Sequence, residues 1–380
     1  MKRLLVVSHP CATTVSQRLF AAVQECGEWE VTLVVPNGWK DEFGNALREP
    51  PHPALASRFW RFPVFANGNI ILHGYLASWG KFLRQHPFDV IYVHNEPYAV
   101  STFQVACANA RMKRPSAFGF YSAQNIAKSY PPPFSWMEAF VHRTSSFAFP
   151  VSRTVADVLG AKTSRPNVHV CPLPVDPALY RPFPEDVQKA VVPRSGGEIV
   201  IGYVGRLVEA KGLRTLAGAL GLLRDQPWKL VVVGRGEFER EFRRELETAN
   251  VLSKTAFAGY IPHEEAPKWL SAMDVLVVPS ETQPTWKEQF GRVIVEAWAC
   301  GTAVIGSDSG EIPHLIAESR GGLVFPERDA GALAARIREM IADAGLRHSS
   351  AENGRAWVEA NLDQRIVARR MADVFGAVSP

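Results

Sequence analysis

The hydrophobic positions of the chain form two series of short apolar runs, and segments with helical periodicity separate the runs. In the first half, we predict strands at RLLVVS, EVTLVVP, DVIYVH, SAFGFYS and HRTSSFAFPVS. The helices predicted between them include VSQRLFAAVQEC and YAVSTFQVACANARM. Apolar runs rich in β-branched residues that alternate with helices are typical of parallel strands buried on both faces. This half therefore predicts an α/β domain with a doubly wound sheet.

The same pattern starts again in the second half of the chain. Here the predicted strands are EIVIGYVG, KLVVVGRG, SKTAFAGY, DVLVVPS and TAVIGSD. The predicted helices are GLRTLAGALGLLRD, EREFRRELETAN, EEAPKWLSAM and a helix within PTWKEQFGRVIVEAWACGTAV. A second doubly wound domain follows from this repetition.

The length of 380 residues also favours two domains, because single cores rarely grow beyond about 250–300 residues. Residues 182–198, rich in proline, glycine and charge, are the predicted linker between domains at 1–181 and 199–362. Residues 363–380 form a predicted closing helix that packs on either domain. The predicted fold is two Rossmann-like domains that face a cleft, with ligands at the carboxyl ends of the strands.

The charge of the chain restricts the kinds of partner that it could bind, and its cysteine content bears on disulfides and zinc sites. Residues 1–185 contain 18 Lys and Arg against 12 Asp and Glu, a net +6 within a chain of net +4. This suits an anionic partner such as a membrane headgroup or a phosphorylated substrate, although scattered surface cations are an equal alternative. The charges are too dispersed to favour nucleic acid. The five scattered cysteines show no CxxC spacing, so neither disulfides nor a zinc site is expected.

The N-terminal sequence lacks two features, one that bears on the location of the protein and one that bears on a cofactor. The apolar run of MKRLLVVSHPC is too short for a signal peptide or a membrane span, so we expect a cytoplasmic protein. SHPCATTVSQRL, which follows the first predicted strand, contains no glycine, whereas a dinucleotide fingerprint requires several there. A nicotinamide or flavin cofactor is therefore not expected.

Two carboxylates belong to the segment of the predicted helix near residue 290. Helical spacing places its start near Gln289 or Phe290 and a left-handed cap at Gly301, with Glu288 at one edge and Glu296 within it. Eight helical residues span roughly 12 Å, similar to the distance from the sugar to the ribose of a nucleotide diphosphate sugar. The alternative is a glutamate that stabilises the helix dipole and a second one that is solvated.

A second motif, VGRLVEAKG, follows the strand EIVIGYVG. Gly205 allows the backbone to turn, and Arg206 and Lys211 place two cations at the end of a strand. Such cations, together with helix N–H groups, can hold a diphosphate without a metal ion, although each cation taken alone is more typical of a solvated loop. The loop PSETQP, residues 279–284, brings polar groups to the same rim.

These motifs carry a family resemblance. The runs GYVGRLVEAKG, FAGYIPHEEAPKWLSAMDVLVVPS, PTWKEQFGRVIVEAWACGTAVIGSDSGEIPHLI and GGLVFPERD resemble the retaining glycosyltransferases of family four, which have the two-domain GT-B fold. The match is close over residues 199–330. In the N-terminal half it extends only in outline, through VIYVHNEPYAV, FYSAQN and FPVSRTVADVL. Glu288 and Glu296 fit the family's pattern of Glu, seven residues, Glu.

The resemblance implies a role for each residue of the C-terminal domain, which would bind the nucleotide-sugar donor. Glu288 would hold hydroxyls of the donor sugar and Glu296 those of the ribose, while Arg206 and Lys211 neutralise the diphosphate. The remaining donor contacts would come from Gly205, the backbone N–H groups of Phe290 and Gly291, and the neighbourhood of Arg235 and Tyr260 near the base. The implied reaction is a metal-free front-face displacement with retention and no covalent glycosyl-enzyme.

The N-terminal domain would bind the acceptor, a polysaccharide or a lipid-linked sugar. Many relatives have a Gly-Gly loop after the first strand and a histidine in the acceptor cleft. This chain has His9–Thr13 and Gln124 there, so Gln124, Asn125 and His94 are the acceptor-side candidates. The aromatic and basic segments 57–62 and 128–136 are candidates for contact with an anionic membrane surface, with loop packing as the alternative.

The predicted activity is thus a metal-independent, retaining glycosyltransferase, cytoplasmic or peripheral on the inner face of the membrane. Two alternatives remain open at this point. One is a sugar-nucleotide epimerase or hydrolase on the same fold. The other is a nucleotide-sugar-binding assembly subunit without turnover.

Overall fold

The computed structural model describes residues 1–41, 44–164, 166–194 and 196–379. The chain divides into two compact units, each with its own parallel sheet. The first unit contains Met1–Pro174 and the segment from Gln364 onward, and the second contains Val175–Asp363.

The first unit alternates strands and helices as its sequence pattern predicts. Its strands are β1 (Lys2–Val7), β2 (Trp29–Pro36), β3 (Trp39–Lys40), β4 (Ala46–Leu47), β5 (Phe59–Phe62), β6 (Val64–Phe65), β7 (Gly74–Tyr75), β8 (Val90–Val93), β9 (Ala117–Ser122), β10 (Phe147–Pro150) and β11 (Asn167–Val168). Its helices are α1 (Thr14–Glu25), α2 (Trp79–Gln85), α3 (Val100–Ala110), α4 (Phe134–Thr144) and α5 (Arg153–Lys162).

The main sheet of the first unit has seven parallel strands in the order β11-β10-β9-β8-β1-β2-β5. Alternate residues of β1 enter different hydrophobic cores: Leu4 and Val6 pack in one cluster, Leu5 and Val7 in another. Both faces of the sheet are therefore buried, which is why the strand sequences are continuously apolar.

Two segments of the first unit differ from their predicted conformation. The stretch HRTSSFAFPVS was predicted to be a strand throughout, but α4 runs to Thr144 and β10 begins only at Phe147. His142 and Val141 are buried because this part continues the apolar face of α4. Residues 57–62 are a candidate for membrane contact, with loop packing as the alternative; most of that segment is instead the edge strand β5, which pairs in parallel with β2.

The second unit has the strand order expected of a Rossmann domain. Its helices are α6 (Glu185–Val191), α7 (Leu213–Gly221), α8 (Glu239–Thr248), α9 (Ala266–Ser271), α10 (Arg292–Ala299), α11 (Ile312–Ser319), α12 (Ala330–Ala342) and α13 (Ala344–Asn361). Its strands are β12 (Ile199–Val204), β13 (Trp228–Val233), β14 (Thr255–Gly259), β15 (Val275–Val278), β16 (Ala303–Ser307) and β17 (Gly322–Phe325), in the order β14-β13-β12-β15-β16-β17. The five predicted strands are confirmed as β12 to β16, and β17 was not predicted.

The segments at the domain boundary have more structure than the sequence suggested. The predicted linker, residues 182–198, contains α6 and lies within the second unit, which begins at Val175. The last helix, α14 (Gln364–Val378), belongs to the first unit. It packs on α1 and buries Val367, Met371 and Phe375 in the core beside β1.

In each sheet the strand order reverses beside the first strand of the unit. The reversal lies between β1 and β8 in the first unit and between β12 and β15 in the second. Loops that leave adjacent strands in opposite directions open a crevice at the carboxyl ends, where ligands of doubly wound sheets bind. Within the described residues, no helix has the length and apolar character needed to cross a bilayer.

Candidate functional site

The first candidate site lies at the reversal point of the second unit and centres on Glu288. Its carboxylate is buried and accepts a hydrogen bond from Lys211 Nζ at 2.6 Å. Ser280 Oγ donates to the same carboxylate oxygen at 2.8 Å, and the Lys211 ammonium lies 4.5 Å from the centre of the Trp286 ring. A cation and a carboxylate from loops distant in sequence thus form one compact polar cluster.

Close backbone approaches hold this cluster in place. A Cβ on Gly310, whose φ is +60°, would lie 1.9 Å from the carbonyl oxygen of Glu288. The next residue, Glu311, donates its N–H to that same oxygen at 3.1 Å. A Cβ on Gly212 would lie 1.8 Å from the carbonyl oxygen of Pro279, which brings the Lys211 loop against the end of β15. Only glycine fits these positions without a shift of the backbone.

The helix after Glu288 begins later than predicted. α10 starts at Arg292, after the left-handed Gly291, so Glu288 lies in the preceding loop and not on the helix. The span of roughly 12 Å drawn from helical rise therefore does not describe the separation of Glu288 and Glu296. The predicted left-handed residue at the other end is confirmed, since Gly301 has a φ of 78°.

Phe290 and Gly291 precede the first turn of α10, and the side chain of Phe290 is buried. The first N–H groups of a helix have no carbonyl partner within it. The backbone at these positions therefore lies at the positive end of the α10 dipole. This end of a helix favours an anionic ligand.

Glu296 is the second buried carboxylate of this region. Arg292, one turn earlier on α10, donates its Nε–H to Glu296 Oε1 at 2.7 Å. The guanidinium also lies 3.4 Å from His263, whose ring contacts the Tyr180 hydroxyl at 3.1 Å. Burial is the main cause that raises the pKa of Tyr180, and the Glu296 carboxylate adds to it. None of these three neighbours was predicted from the sequence, although the spacing of Arg292 and Glu296 was a readable signal.

The remaining predicted donor residues lie at the ends of three adjacent strands. Gly205 and the exposed Arg206 follow β12, and Tyr203 donates its hydroxyl to the carbonyl of Arg206 at 2.7 Å. Arg235 follows β13, and its carbonyl accepts the N–H of Leu207 at 3.0 Å. Tyr260, which is 63% exposed, follows β14. One edge of the sheet therefore presents these side chains together with the Lys211–Glu288 cluster.

This edge combines the cations Arg206 and Lys211 with the buried carboxylates of Glu288 and Glu296. Such a set suits a ligand that carries both phosphate and hydroxyl groups. No group of three histidine, cysteine or acidic side chains able to hold a metal ion occurs in the described part of the chain.

The acceptor-side candidates lie at the reversal point of the first unit. His94 follows β8; its Nδ1 lies 2.9 Å from the Tyr92 hydroxyl and its ring stacks on Tyr121 at 4.3 Å. Burial lowers the pKa of His94 to about 4, so the imidazole is neutral at pH 7. Gln124 follows β9, with its Oε1 accepting the N–H of Ile126 at 3.0 Å.

Two further side chains accompany Gln124 and His94. The adjacent Asn125 is buried. Glu96 accepts hydrogen bonds from Ser122 and Ala123 at the end of β9. It was not predicted from the sequence as a site residue. Its signal in the sequence was its place directly after a buried strand.

The apolar residues considered for a membrane surface are partly exposed. Trp60 on β5 is 41% exposed and Trp136 on α4 is 69% exposed. Other exposed apolar side chains of the same unit cluster along the chain at Phe65, Ile70, Ile71, Leu72 and Leu76.

Both units match known protein families. Residues 184–357 match the family described as glycosyl transferases group 1. Residues 12–176 match the glycosyl transferase 4-like domain. The two matches together span most of both units.

Individual relatives are distant in sequence. The chain is 24% identical over 374 residues to the 2-deoxystreptamine glucosyltransferase of Streptomyces kanamyceticus, covering 90% of this chain and 92% of that protein. It is 28% identical over 214 residues to the GDP-mannose-dependent alpha-(1-6)-phosphatidylinositol monomannoside mannosyltransferase of Mycobacterium tuberculosis (strain CDC 1551 / Oshkosh), where the match covers 54% of this chain and 55% of that protein. The chain thus spans nearly all of the first relative and about half of the second.

A solved structure, that of Anabaena HepE in complex with UDP, has the same fold. It superposes with a TM-score of 0.75 over 99% of this chain and 100% of that one, at 18% sequence identity. The predicted fold class is thereby confirmed.

Proposed function

Since the chain belongs to the group 1 glycosyltransferases, we propose that it is a retaining enzyme that transfers a sugar from a nucleoside diphosphate to an acceptor hydroxyl. The donor binds to the second unit and the acceptor to the first. No metal ion takes part, because Arg206 and Lys211 supply the positive charge that the leaving diphosphate needs.

The observation that carries this proposal is the cluster of Lys211, Ser280 and Glu288 at the reversal point of the second sheet. It places a cation beside a carboxylate at the edge where Rossmann domains bind nucleotides. Arg206 and the first turn of α10 extend this edge as groups for the diphosphate. UDP is bound in the HepE structure that shares the fold, which supports a nucleoside diphosphate as the shared ligand.

The reaction would follow a front-face course. The bond between the anomeric carbon and the diphosphate oxygen breaks, and the acceptor oxygen forms its bond on the same face. The acceptor's proton passes to an oxygen of the leaving phosphate, so no side chain is needed as a base. Glu288 holds sugar hydroxyls and forms no covalent bond with the anomeric carbon.

The acceptor is a polysaccharide or a lipid-linked sugar in this proposal. The names of the two relatives include a free cyclitol and a phosphatidylinositol mannoside, both of which are polyols. Transfer is favoured over epimerisation or hydrolysis of a sugar nucleotide because both relatives are named as glycosyltransferases.

We also place the enzyme in the cytoplasm, in peripheral contact with an anionic membrane surface. The net +6 of residues 1–185 and the exposed Trp60 and Trp136 support such a contact. Sedimentation with vesicles of phosphatidylglycerol and with vesicles of phosphatidylcholine tests it; equal binding to both would contradict an electrostatic contact.

Calorimetric titration with UDP, GDP and ADP, each followed by the matching sugar nucleotides, tests the donor site. We expect one nucleotide to bind in the micromolar range and Glu296→Ala to weaken it. NMR of the product's anomeric proton then decides between retention and inversion. Failure of all three nucleotides to bind would overturn the proposed donor site.

A further inference from the structure

Glu96 lies three residues beyond β8, one of the two strands that border the reversal point of the first sheet. Its carboxylate accepts the N–H of Ala123 at 2.7 Å and the hydroxyl of Ser122 at 2.8 Å. These two bonds, one to each carboxylate oxygen, fix the orientation of the group at the carboxyl end of β9. The side chain is half-buried, and each oxygen keeps capacity for another hydrogen bond.

Aromatic and amide groups surround the carboxylate. The rings of Tyr98 and Tyr130 lie 4.1 Å apart, and Gln124 Nε2 is 3.5 Å from the Tyr130 hydroxyl. Burial is the main cause that raises the pKa of Tyr98, and the Glu96 carboxylate adds to it. The Tyr98 hydroxyl therefore stays protonated. Tyr98 is buried, and its ring backs the half-buried Tyr130, which offers a surface on which the apolar face and hydroxyls of a polyol can pack.

The charges that face Glu96 do not neutralise it. Lys162 on α5 forms its ion pair with Glu138 on α4 at 2.7 Å, and its ammonium lies over the Tyr130 ring at 4.9 Å. Glu96 has no ion-pair partner within the described ranges. Desolvation by burial is the main cause that raises the pKa of Glu96 to about 7, with the Glu138 carboxylate adding to it and Lys162 opposing it.

A purely structural link between β8 and β9 does not need this charge. A neutral glutamine would accept the same N–H of Ala123, and it would avoid the cost of desolvating a carboxylate. Carboxyl groups whose pKa is raised by burial cluster at functional sites, and Glu96 lies at the ligand-binding edge of its sheet.

We propose that Glu96 binds the acceptor of the transfer reaction, accepting hydrogen bonds from hydroxyl groups of a polyol that packs beside Tyr130. This rests on the proposed transferase function and adds the group that recognises the acceptor. Glu96 takes up no proton in the reaction, because the proton of the reacting hydroxyl leaves with the phosphate.

The ionised form is the one that accepts hydrogen bonds from two hydroxyl groups. With a pKa of about 7, Glu96 is mostly ionised at pH 8 and mostly protonated at pH 6. The value of kcat/KM for the acceptor should therefore fall about tenfold between pH 8 and pH 6.

Glu96→Gln tests the role, with Glu25→Gln, an exposed position on α1, as the matched control. The acceptor probes are myo-inositol, 2-deoxystreptamine and maltotriose, assayed with the sugar nucleotide that the calorimetry selects. Glu96→Gln should raise the acceptor KM at least tenfold at pH 8, flatten the fall between pH 8 and pH 6, and leave the nucleotide Kd within twofold. An unchanged KM and pH profile, with or without a lower Tm, would make Glu96 a structural link and overturn the proposal.

A direct titration covers the case in which no probe is glycosylated. The carboxyl carbon of Glu96 is identified in protein labelled with ¹³C-glutamate as the NMR signal lost in Glu96→Gln. The pKa of Glu96 should fall when one of the three probes is added to 100 mM. No shift with any probe overturns the acceptor role of Glu96. Absence of nucleotide binding in the calorimetry, by contrast, overturns the proposed transferase.

Discussion

Lys211 Nζ lies 2.6 Å from Glu288 Oε2, so the cation predicted for the donor diphosphate and the carboxylate predicted for the donor sugar are paired with each other. Both side chains are largely buried, with 21% and 12% of their surfaces exposed. Each therefore stabilises the other in the protein without donor. A ligand that bridges the two would keep this contact and add phosphate and hydroxyl groups to it.

Glu288→Gln should reduce turnover far more than nucleotide affinity. The amide keeps the shape but loses the charge that holds Lys211 and the sugar hydroxyls, so we expect kcat to fall roughly 100-fold. The Kd for the nucleoside diphosphate should change less than threefold. Steady-state kinetics and calorimetry on the same preparation measure both, with the exposed Glu264→Gln as control. Equal losses of kcat and affinity would remove Glu288 from the sugar end of the site.

Arg206→Ala should weaken binding of the nucleoside diphosphate. The exposed guanidinium follows β12, and loss of a hydrogen bond to a phosphate costs about 2 kcal/mol, or roughly thirtyfold in Kd. Calorimetry at low salt measures the change. Arg240→Ala, an exposed arginine on α8, serves as the control that removes equal charge. The same affinity in both variants would contradict a diphosphate contact at Arg206.

Glu296→Ala should weaken the binding of nucleotides that carry ribose hydroxyls and spare those that lack them. The buried carboxylate is predicted to accept the ribose hydroxyls, so UDP or GDP should lose about tenfold in affinity. The 2′,3′-dideoxy form of the same nucleotide should bind wild type and variant alike. If the variant weakens both forms equally, Glu296 acts through Arg292 and not on the ribose.

Gly310→Ala should destabilise the second unit and disturb Glu288. Its positive φ and the 1.9 Å approach to the Glu288 carbonyl leave no room for a methyl group, so we expect a loss of roughly 2–4 kcal/mol. Thermal unfolding by circular dichroism measures it. Gly160→Ala on the exposed face of α5 has open space around it and should stabilise slightly, by about 0.5 kcal/mol. A wild-type Tm for Gly310→Ala would show that the loop adapts.

Treatment with EDTA should leave the transfer rate unchanged. Arg206 and Lys211 are expected to neutralise the diphosphate, so the rate does not depend on a divalent cation. Initial rates before and after exhaustive dialysis against the chelator measure this. A loss of activity that Mg²⁺ or Mn²⁺ restores would contradict the metal-free mechanism.

The regular elements of the second unit were readable from the sequence because hydrophobic periodicity is a local property. Strands β12 to β16 each coincide with an apolar run bounded by helical segments. The left-handed end of α10 at Gly301 was equally local. The start of α10 was predicted too early because the left-handed Gly291 interrupts a continuous apolar pattern that the sequence alone reads as helix.

The strand order and the contacts across it were decided by tertiary structure. Lys211 and Glu288 are 77 residues apart, and Glu96 and Ala123 are 27 apart, so no local pattern links them. Each pair meets because adjacent parallel strands bring their carboxyl ends to one edge, and for Lys211 and Glu288 the strand order also reverses there. The sequence by itself determined the positions of β12 to β16, and which residue types have the chemistry to hold a nucleotide sugar. Only the folded units decided which of those groups are neighbours, since burial between distant segments fixes their distances and charges.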